Sequence, residues 1–356
     1  MAEISLCMIV RNEEETLARC LDSVRDAVDE IIIVDTGSQD ATRDIARRYT
    51  SKVFDFPWRD DFSAARNAAL EHVTREFWMW LDADDVLDGP EALNRFKSDA
   101  LDGLDLVMAP YHIAFDKRGE PTFTYYRERI LRTAKGFRWA GAVHEAISPR
   151  GRVGYADFAV RHQKIKPGEP GRNLRIYDGL RRAGHSFSAR DRYYYGRELR
   201  EAGRLEEAVQ ELESVVRDRS AWLENRLGAC VDLADCRLKM GDAQAAARAL
   251  SESLALDAPR AQAACELGKL FLAAGNLSAA RFWYEAALGL KEDARKGAFV
   301  QKDYSGYIPL MQLCVIYDRL GLHDKAEAVN EQAALLKPGD PSVEHNRRYF
   351  QDLRER

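Results

Sequence analysis

A run of large apolar residues, Phe77-Trp78-Met79-Trp80-Leu81, leads straight into Asp82-Ala83-Asp84-Asp85. Carboxylates this close repel, at about 4 kcal/mol for a pair 4 Å apart at an effective dielectric near 20. Open solvent or a bound cation relieves that cost. Hard divalent ions that serve phosphates take carboxylate oxygens, and ligands of α/β proteins gather beyond the carboxyl ends of strands. The stretch is therefore a candidate metal–diphosphate site. The competing reading is a solvated acidic turn that caps the helix after Pro90, and for Asp85 a capping or supporting role stays open. A helix–loop–helix calcium loop fits poorly, because Val86 and Leu87 stand where a ligand and a glycine are needed. A second constellation lies at Trp139-Ala140-Gly141-Ala142-Val143-His144-Glu145. An adjacent imidazole and carboxylate suit proton transfer near neutral pH; a structural His beside a strand-end carboxylate is the alternative.

The elements that must position these groups alternate. Ile4–Val10 is a continuous apolar run, as expected of a strand buried on both faces. A helix then carries Leu17, Cys20, Leu21, Val24 and Val28 on one face. A second strand at 31–34 ends in Asp35, and turn residues 36–40 lead into a helix over 41–48. A short strand at 53–56, a helix at 62–73 and a strand at 77–81 follow. Strands separated by helices predict a parallel, doubly wound α/β sheet. Asn12, Asp35 and Asp82 then share one edge at strand C-termini, where a nucleotide would lie. No glycine-rich dinucleotide fingerprint and no P-loop occurs, so phosphates there would be held by metal. Strands at 104–113 and 122–132, and a further strand over 153–163, make a mixed, β-rich second half that suits an acceptor-facing side.

The blocks VRNEE, VDTGSQDAT, SAARNAAL and LDADD, in this order and spacing, resemble family 2 glycosyltransferases of the GT-A fold. The resemblance covers roughly residues 1–165 and implies a Rossmann-like catalytic domain, a nucleoside-diphosphate sugar donor, UDP-linked by preference, and a divalent metal, Mn2+ or Mg2+. It makes Asp35 the residue that contacts the base, with Asn12 and Glu14 beside it. Arg66 and Asn67 would line the nucleotide site. Asp84 would reach the metal and Asp82 the ribose or metal. His162 resembles the late histidine that completes the metal shell, and imidazole suits borderline divalent ions. The W-x-G-x-V-H-E block resembles an acceptor-side motif, with Glu145 as general base and His144 as orienting group or substitute base. Inversion at the anomeric carbon is implied by the family alone.

The Pro- and Gly-rich break 166–171 ends the strand pattern, and 166–190 reads as a linker with a bridging helix. From 191 to 356 the pattern is helical and repeats. Gly203, Gly241, Gly275 and Gly321, spaced 38, 34 and 46 residues apart, each precede an alanine by five positions (Ala208, Ala246, Ala280, Ala326). One spacing equals the tetratricopeptide period, and the segment resembles that repeat: an all-α solenoid of stacked helix hairpins. Leu212, Leu250 and Tyr284 follow four residues after the alanine, with Asn330 a departure. Tyr193, Tyr194, Tyr195 and Trp222 are candidate face residues; Trp283 and Tyr284 read as core. The insertion 291–305 is a functional loop or slack.

The 356 residues are 46% hydrophobic and carry a net charge of −5, which disfavours nucleic acid and anionic membrane surfaces. No apolar run approaches a membrane span. Six cysteines without metal spacing fit reduced core residues of a cytoplasmic protein. The expected activity is metal-dependent hexosyl transfer to a peptide or protein acceptor held by the repeats. Alternatives are cell-envelope polysaccharide synthesis, with the repeats used for docking or for a homodimer, and a non-catalytic repeat adaptor.

Overall fold

The computed structural model describes residues 2–166 and 168–355. Pro167, part of the predicted break, lies outside the described residues, as do Met1 and Arg356. The chain forms two compact units, Met1–Ser186 and Phe187–Arg356.

In the first unit the elements run β1 (Ile4–Val10), α1 (Leu17–Val24), β2 (Glu30–Asp35), α2 (Thr42–Tyr49), β3 (Val53–Asp55), α3 (Phe62–Leu70), β4 (Phe77–Trp80), β5 (Asp85–Asp88), α4 (Pro90–Asp99), β6 (Leu106–Phe115), β7 (Pro121–Arg132), β8 (Val153–Tyr155), β9 (Ala159–His162) and α5 (Arg172–Arg182). The sheet order is β3-β2-β1-β4-β7-β6-β9-β5, with β8 beside β6. The first four strands are parallel. At β4 the sense reverses, because β7 pairs with it antiparallel. Alternate residues of β1 feed two cores: Leu6 and Met8 pack on one face and Cys7 on the other. That two-sided burial explains its unbroken apolar run.

Two expectations change here. The strand anticipated over 153–163 is two strands, β8 and β9, because the chain leaves the sheet between them to bury Phe158 edge-on against Phe96, ring centroids 6.0 Å apart. The acidic turn does not cap α4. Gly89, with φ +84°, occupies that N-cap, while Asp85 opens β5 and is wholly buried.

The second unit pairs α6 (Ala189–Glu201) with α7 (Leu205–Arg217), α8 (Leu223–Lys239) with α9 (Ala243–Leu256), α10 (Ala261–Ala273) with α11 (Leu277–Gly289) and α12 (Tyr307–Arg319) with α13 (His323–Leu336), and α14 (Pro341–Arg354) follows. The four repeat glycines end the first helix of each hairpin with φ between +72° and +81°, a conformation that suits glycine at a helix C-terminus. The four repeat alanines are fully buried. Tyr193, Tyr194 and Tyr195 are buried rather than displayed; a Cβ on Gly228 would lie 2.3 Å from the Tyr193 hydroxyl, so that glycine makes room for the ring. Asn330 departs from the apolar pattern because it bonds α14: its amide donates to the Val343 carbonyl and its oxygen accepts from Asn346. The 291–305 insertion is anchored, with Glu292 accepting the Ala261 N–H at 2.8 Å and Lys337 pairing Asp303 at 2.6 Å. Among the described residues no helix is long and apolar enough to cross a membrane, and all six cysteines are buried and free.

Candidate active site

The acidic turn leaves β4 at the sheet edge where β1 and β2 also end. A tight turn, Asp85 N–H to Asp82 carbonyl at 3.0 Å, sets its shape. The Cys20 thiol of α1 donates to the same carbonyl at 3.3 Å, and the Gln163 N–H donates to the Asp84 carbonyl at 2.8 Å. Strand β9 thus brings His162 opposite Asp85, its register partner on β5.

The three carboxylates of this turn have different surroundings. Asp82 accepts from Arg66 at 2.6 Å; burial works against its charge, but Arg66 together with Arg129 and His162 holds the carboxyl below the usual range. Asp85 is saturated: it accepts from the Asp82 N–H (3.1 Å), the Tyr111 hydroxyl (2.8 Å) and Arg129 (3.3 Å). Asp84 is half-buried and lies 3.4 Å from the His162 Nδ1. Burial, reinforced by Asp82, Asp85 and Glu13 and opposed by His162, pushes its carboxyl up to about 6. The His162 Nδ1 also lies 3.0 Å from the Tyr111 hydroxyl and 3.2 Å from Asp85. Burial favours the neutral imidazole, yet the surrounding carboxylates raise its pKa above the ordinary value. Ligand atoms of Asp84, Asp85 and His162 fall within 4.8 Å of one another. A carboxylate and an imidazole side by side form a mixed oxygen–nitrogen donor set of the kind that borderline divalent cations accept. Asp85 is engaged by the Asp82 N–H, Tyr111, Arg129 and the His162 Nδ1, so it orients the ring, and Asp84 with the His162 imidazole are the groups that could hold such an ion.

Arg66 ties this turn to the His144-Glu145 loop. Its Nε bonds Glu145 at 2.6 Å while its Nη2 bonds Asp82. The guanidinium sits 4.9 and 4.8 Å from the Trp80 and Trp139 rings. Asn67 is placed next to it but acts on the loop: its Oδ1 accepts the Trp139 N–H at 2.9 Å and its Nδ2 donates to the Trp139 carbonyl at 3.0 Å. Ala140 and Ala146 pair by two 3.0 Å backbone bonds, which leaves 141–145 as a short projecting loop. His144 stands in it at φ +52°, a left-handed conformation uncommon outside glycine.

At the ends of β1 and β2 two loops interlock. Asn12, at φ +56°, accepts the Gln39 N–H at 2.8 Å, and Glu14 accepts the Ala41 N–H at 3.0 Å. Both side chains thereby fix the 36–41 loop. Asp35 is 1% exposed; its Oδ1 accepts the Gly37 and Ser38 N–H groups at 3.0 Å, while its buried Oδ2 has no hydrogen-bond partner among the described residues.

Sequence reasoning missed Arg129 and Tyr111. Arg129 is fully buried and stacks 3.8 Å from the Trp80 ring and 4.4 Å from the Tyr111 ring, beneath the acidic turn. The available signal was a basic residue inside the strand run Glu128-Arg129-Ile130-Leu131; nothing local identified its partner, which lies 44 residues earlier.

The glycosyl transferase family 2 model matches residues 5–150 and a tetratricopeptide repeat model matches 261–293. A TPR repeat-containing protein of Synechococcus elongatus is 34% identical over 332 residues, 89% of this chain and 74% of the relative. The prophage-derived glycosyltransferase SunS of Bacillus subtilis is 27% identical over 63% of this chain and 55% of its own length. The lipopolysaccharide core biosynthesis glycosyltransferase LpsC of Rhizobium meliloti is 32% identical over 43% of this chain and 60% of its own. The chain thus spans three quarters of the first relative and little more than half of the other two.

Proposed function

We propose that the chain, which belongs to the family 2 glycosyl transferases and carries tetratricopeptide repeats behind its transferase unit, moves a sugar from a UDP-sugar to a peptide or protein acceptor held by the repeats. The supporting observation is one chain of contacts: His162 beside Asp84, and Asp82 joined through Arg66 to Glu145. Asp84 and His162 would hold Mn2+ or Mg2+, with Asp82 at the ribose or the ion. When bound, the ion neutralises charge on the leaving diphosphate. Asp35 supports a base contact, because an unpartnered buried carboxylate oxygen calls for an N–H donor and a uracil ring offers one. Asn12 and Glu14 hold the loop that presents it.

On the acceptor side, Glu145 takes the proton of the acceptor hydroxyl or thiol as its oxygen or sulfur bonds the anomeric carbon and the bond to the diphosphate breaks, with inversion. Arg66 keeps that carboxylate in place, and His144 orients the acceptor or substitutes as base. Stacked repeats offer an extended binding surface, which favours a peptide. A second reading, a cell-envelope saccharide acceptor, is favoured by the name of LpsC. Buried free thiols suit a reducing cytoplasm.

The test is mass spectrometry of products from the intact chain, given a nucleotide-sugar panel, Mn2+ or Mg2+, and peptide or oligosaccharide acceptors. Transfer from a UDP-sugar to peptides, lost in Asp84→Asn and Glu145→Gln, is expected. Equal turnover by Asp84→Asn would remove the metal role, and transfer confined to saccharides would select the second reading.

A further inference from the structure

The loop that carries His144 and Glu145 is fixed at nearly every residue. Helix α3 supplies most of the anchors. The Phe62 N–H donates to the Ala142 carbonyl at 2.9 Å, Arg66 holds Glu145, and Asn67 holds both sides of Trp139. One anchor comes from outside this set. The Tyr177 hydroxyl donates to the Val143 carbonyl at 3.3 Å, in a buried setting where the tyrosine is 1% exposed and Val143 is 3% exposed. Val143 directly precedes His144 and its left-handed backbone. Such a conformation costs energy and persists only where the surroundings over-determine it.

Tyr177 belongs to α5, which the sequence presents as a bridging helix and which lies beyond the residues matched by the transferase model. The same helix grips the entry to α3. Arg175 bonds Asp60 at 2.8 Å, the residue at φ +56° just before the Asp61 N-cap of α3. Arg172 lies over the Phe62 ring at 4.7 Å. Helix α5 therefore touches both the loop and the start of the helix that supplies the loop's other anchors.

We infer that α5 is a positioning element of the transferase unit, and that Tyr177 is a positioning residue which holds the His144-Glu145 loop ready for the acceptor. The inference rests on the reading that this loop carries the acceptor-side base. The hydroxyl donates to the Val143 carbonyl, so its loss lets the Val143–His144 peptide relax without removing the contacts that join Asp84, Asp85 and His162.

The experiment compares wild type, Tyr177→Phe, Glu145→Gln and the surface control Arg182→Gln in the intact chain. Three quantities are read: amide hydrogen exchange over 140–146, the KM for donor, and the ratio of acceptor transfer to donor hydrolysis. Tyr177→Phe keeps the ring and the fold. Loss of one buried neutral hydrogen bond predicts exchange about fivefold faster, confined to that loop, and a transfer-to-hydrolysis ratio lower by about fivefold at unchanged donor KM. Arg182→Gln is expected to match wild type in all three. Wild-type exchange over 140–146 in Tyr177→Phe overturns the positioning role without reference to any substrate. An unchanged ratio in Tyr177→Phe, where Glu145→Gln abolishes transfer, also overturns it. Full transfer by Glu145→Gln instead overturns the assignment of the base, and the exchange measurement still decides whether Tyr177 holds the loop.

Discussion

Arg66 bonds two carboxylates, and their unequal exposure predicts unequal coupling. Its own side chain is 9% exposed; Asp82 is 34% exposed and Glu145 11%. Water can replace the guanidinium at Asp82 but hardly at Glu145. A hydrogen bond to a charged, desolvated partner contributes about 1.5–3 kcal/mol, whereas a pair open to solvent contributes about 0.2–1 kcal/mol. Double-mutant cycles with Arg66→Met should therefore give a coupling of about 2 kcal/mol with Glu145→Gln and about 1 kcal/mol or less with Asp82→Asn. Arg66→Lys keeps the charge but cannot span both oxygens, so it should recover less than half of the loss. Urea unfolding followed by tryptophan fluorescence is the assay, because Trp58, Trp78, Trp80 and Trp139 lie in the transferase unit and only Trp222 and Trp283 in the repeats. Equal couplings, or a larger one at Asp82, would refute the argument that desolvation sets the strength of this bridge.

Three further outcomes concern pH and metal. Asp84 titrates in the fold at about 6, above its ordinary 3.8, so the folded chain binds the extra proton. Its stabilising effect is complete below the ordinary value and is lost as pH rises through about 6. Without metal, Asp84→Asn should then unfold later than wild type at pH 7.5, by about 2 kcal/mol after allowance for partial exposure. Millimolar Mn2+ should raise the wild-type midpoint and leave the variant unmoved. Glu30 is the opposite case: burial opposes its charge, but Lys52, Ser5 and Thr74 prevail and bring its carboxyl down to about 2. Its contribution is present above the ordinary 4.5 and is lost as pH falls toward 2. Glu30→Gln should cost about 2 kcal/mol at pH 7, and the difference from wild type should vanish near pH 2, in the same unfolding assay.

Much of the fold was legible because its signals are local. β1 and β4 are apolar runs, and the repeat glycines sit at helix ends where only a left-handed backbone fits. The placement of Asp82 and Asp84 at a strand end was also legible, and the structure sets His162 beside Asp84. What was not legible depends on contacts distant in sequence. Asp85 looked like a turn carboxylate until β7 placed Arg129 under it and β6 placed Tyr111 beside it. Asn67 reads as lining the nucleotide site, and the structure adds that its amide bonds both the N–H and the carbonyl of Trp139, 72 residues away. The split of 153–163 into β8 and β9 came from a single phenylalanine that needs a partner in α4. Helix α5 carried no chemical signature of its own, because a tyrosine that bonds a backbone carbonyl leaves no trace in a motif.

The repulsion anticipated for the acidic turn is met from two directions before any ion binds. Arg129 lies beneath and holds Asp85; Arg66 lies to one side and holds Asp82 and Glu145. Asp84 is the carboxylate of this set left without a guanidinium: among the described residues its ion-pair partner is His162. It is also the one whose pKa is pushed up to about 6, which is where unrelieved repulsion and burial would appear. A uniform acidic patch would spread that burden over all its members. Here two fixed cations concentrate it on the one carboxylate that stands next to an imidazole, so an ion held there, as proposed above, would meet the charge that the arginines leave uncompensated. Removing Arg129 or Arg66 would load Asp85 or Asp82 in turn, and its carboxyl would then take up a proton at a higher pH than in the wild type.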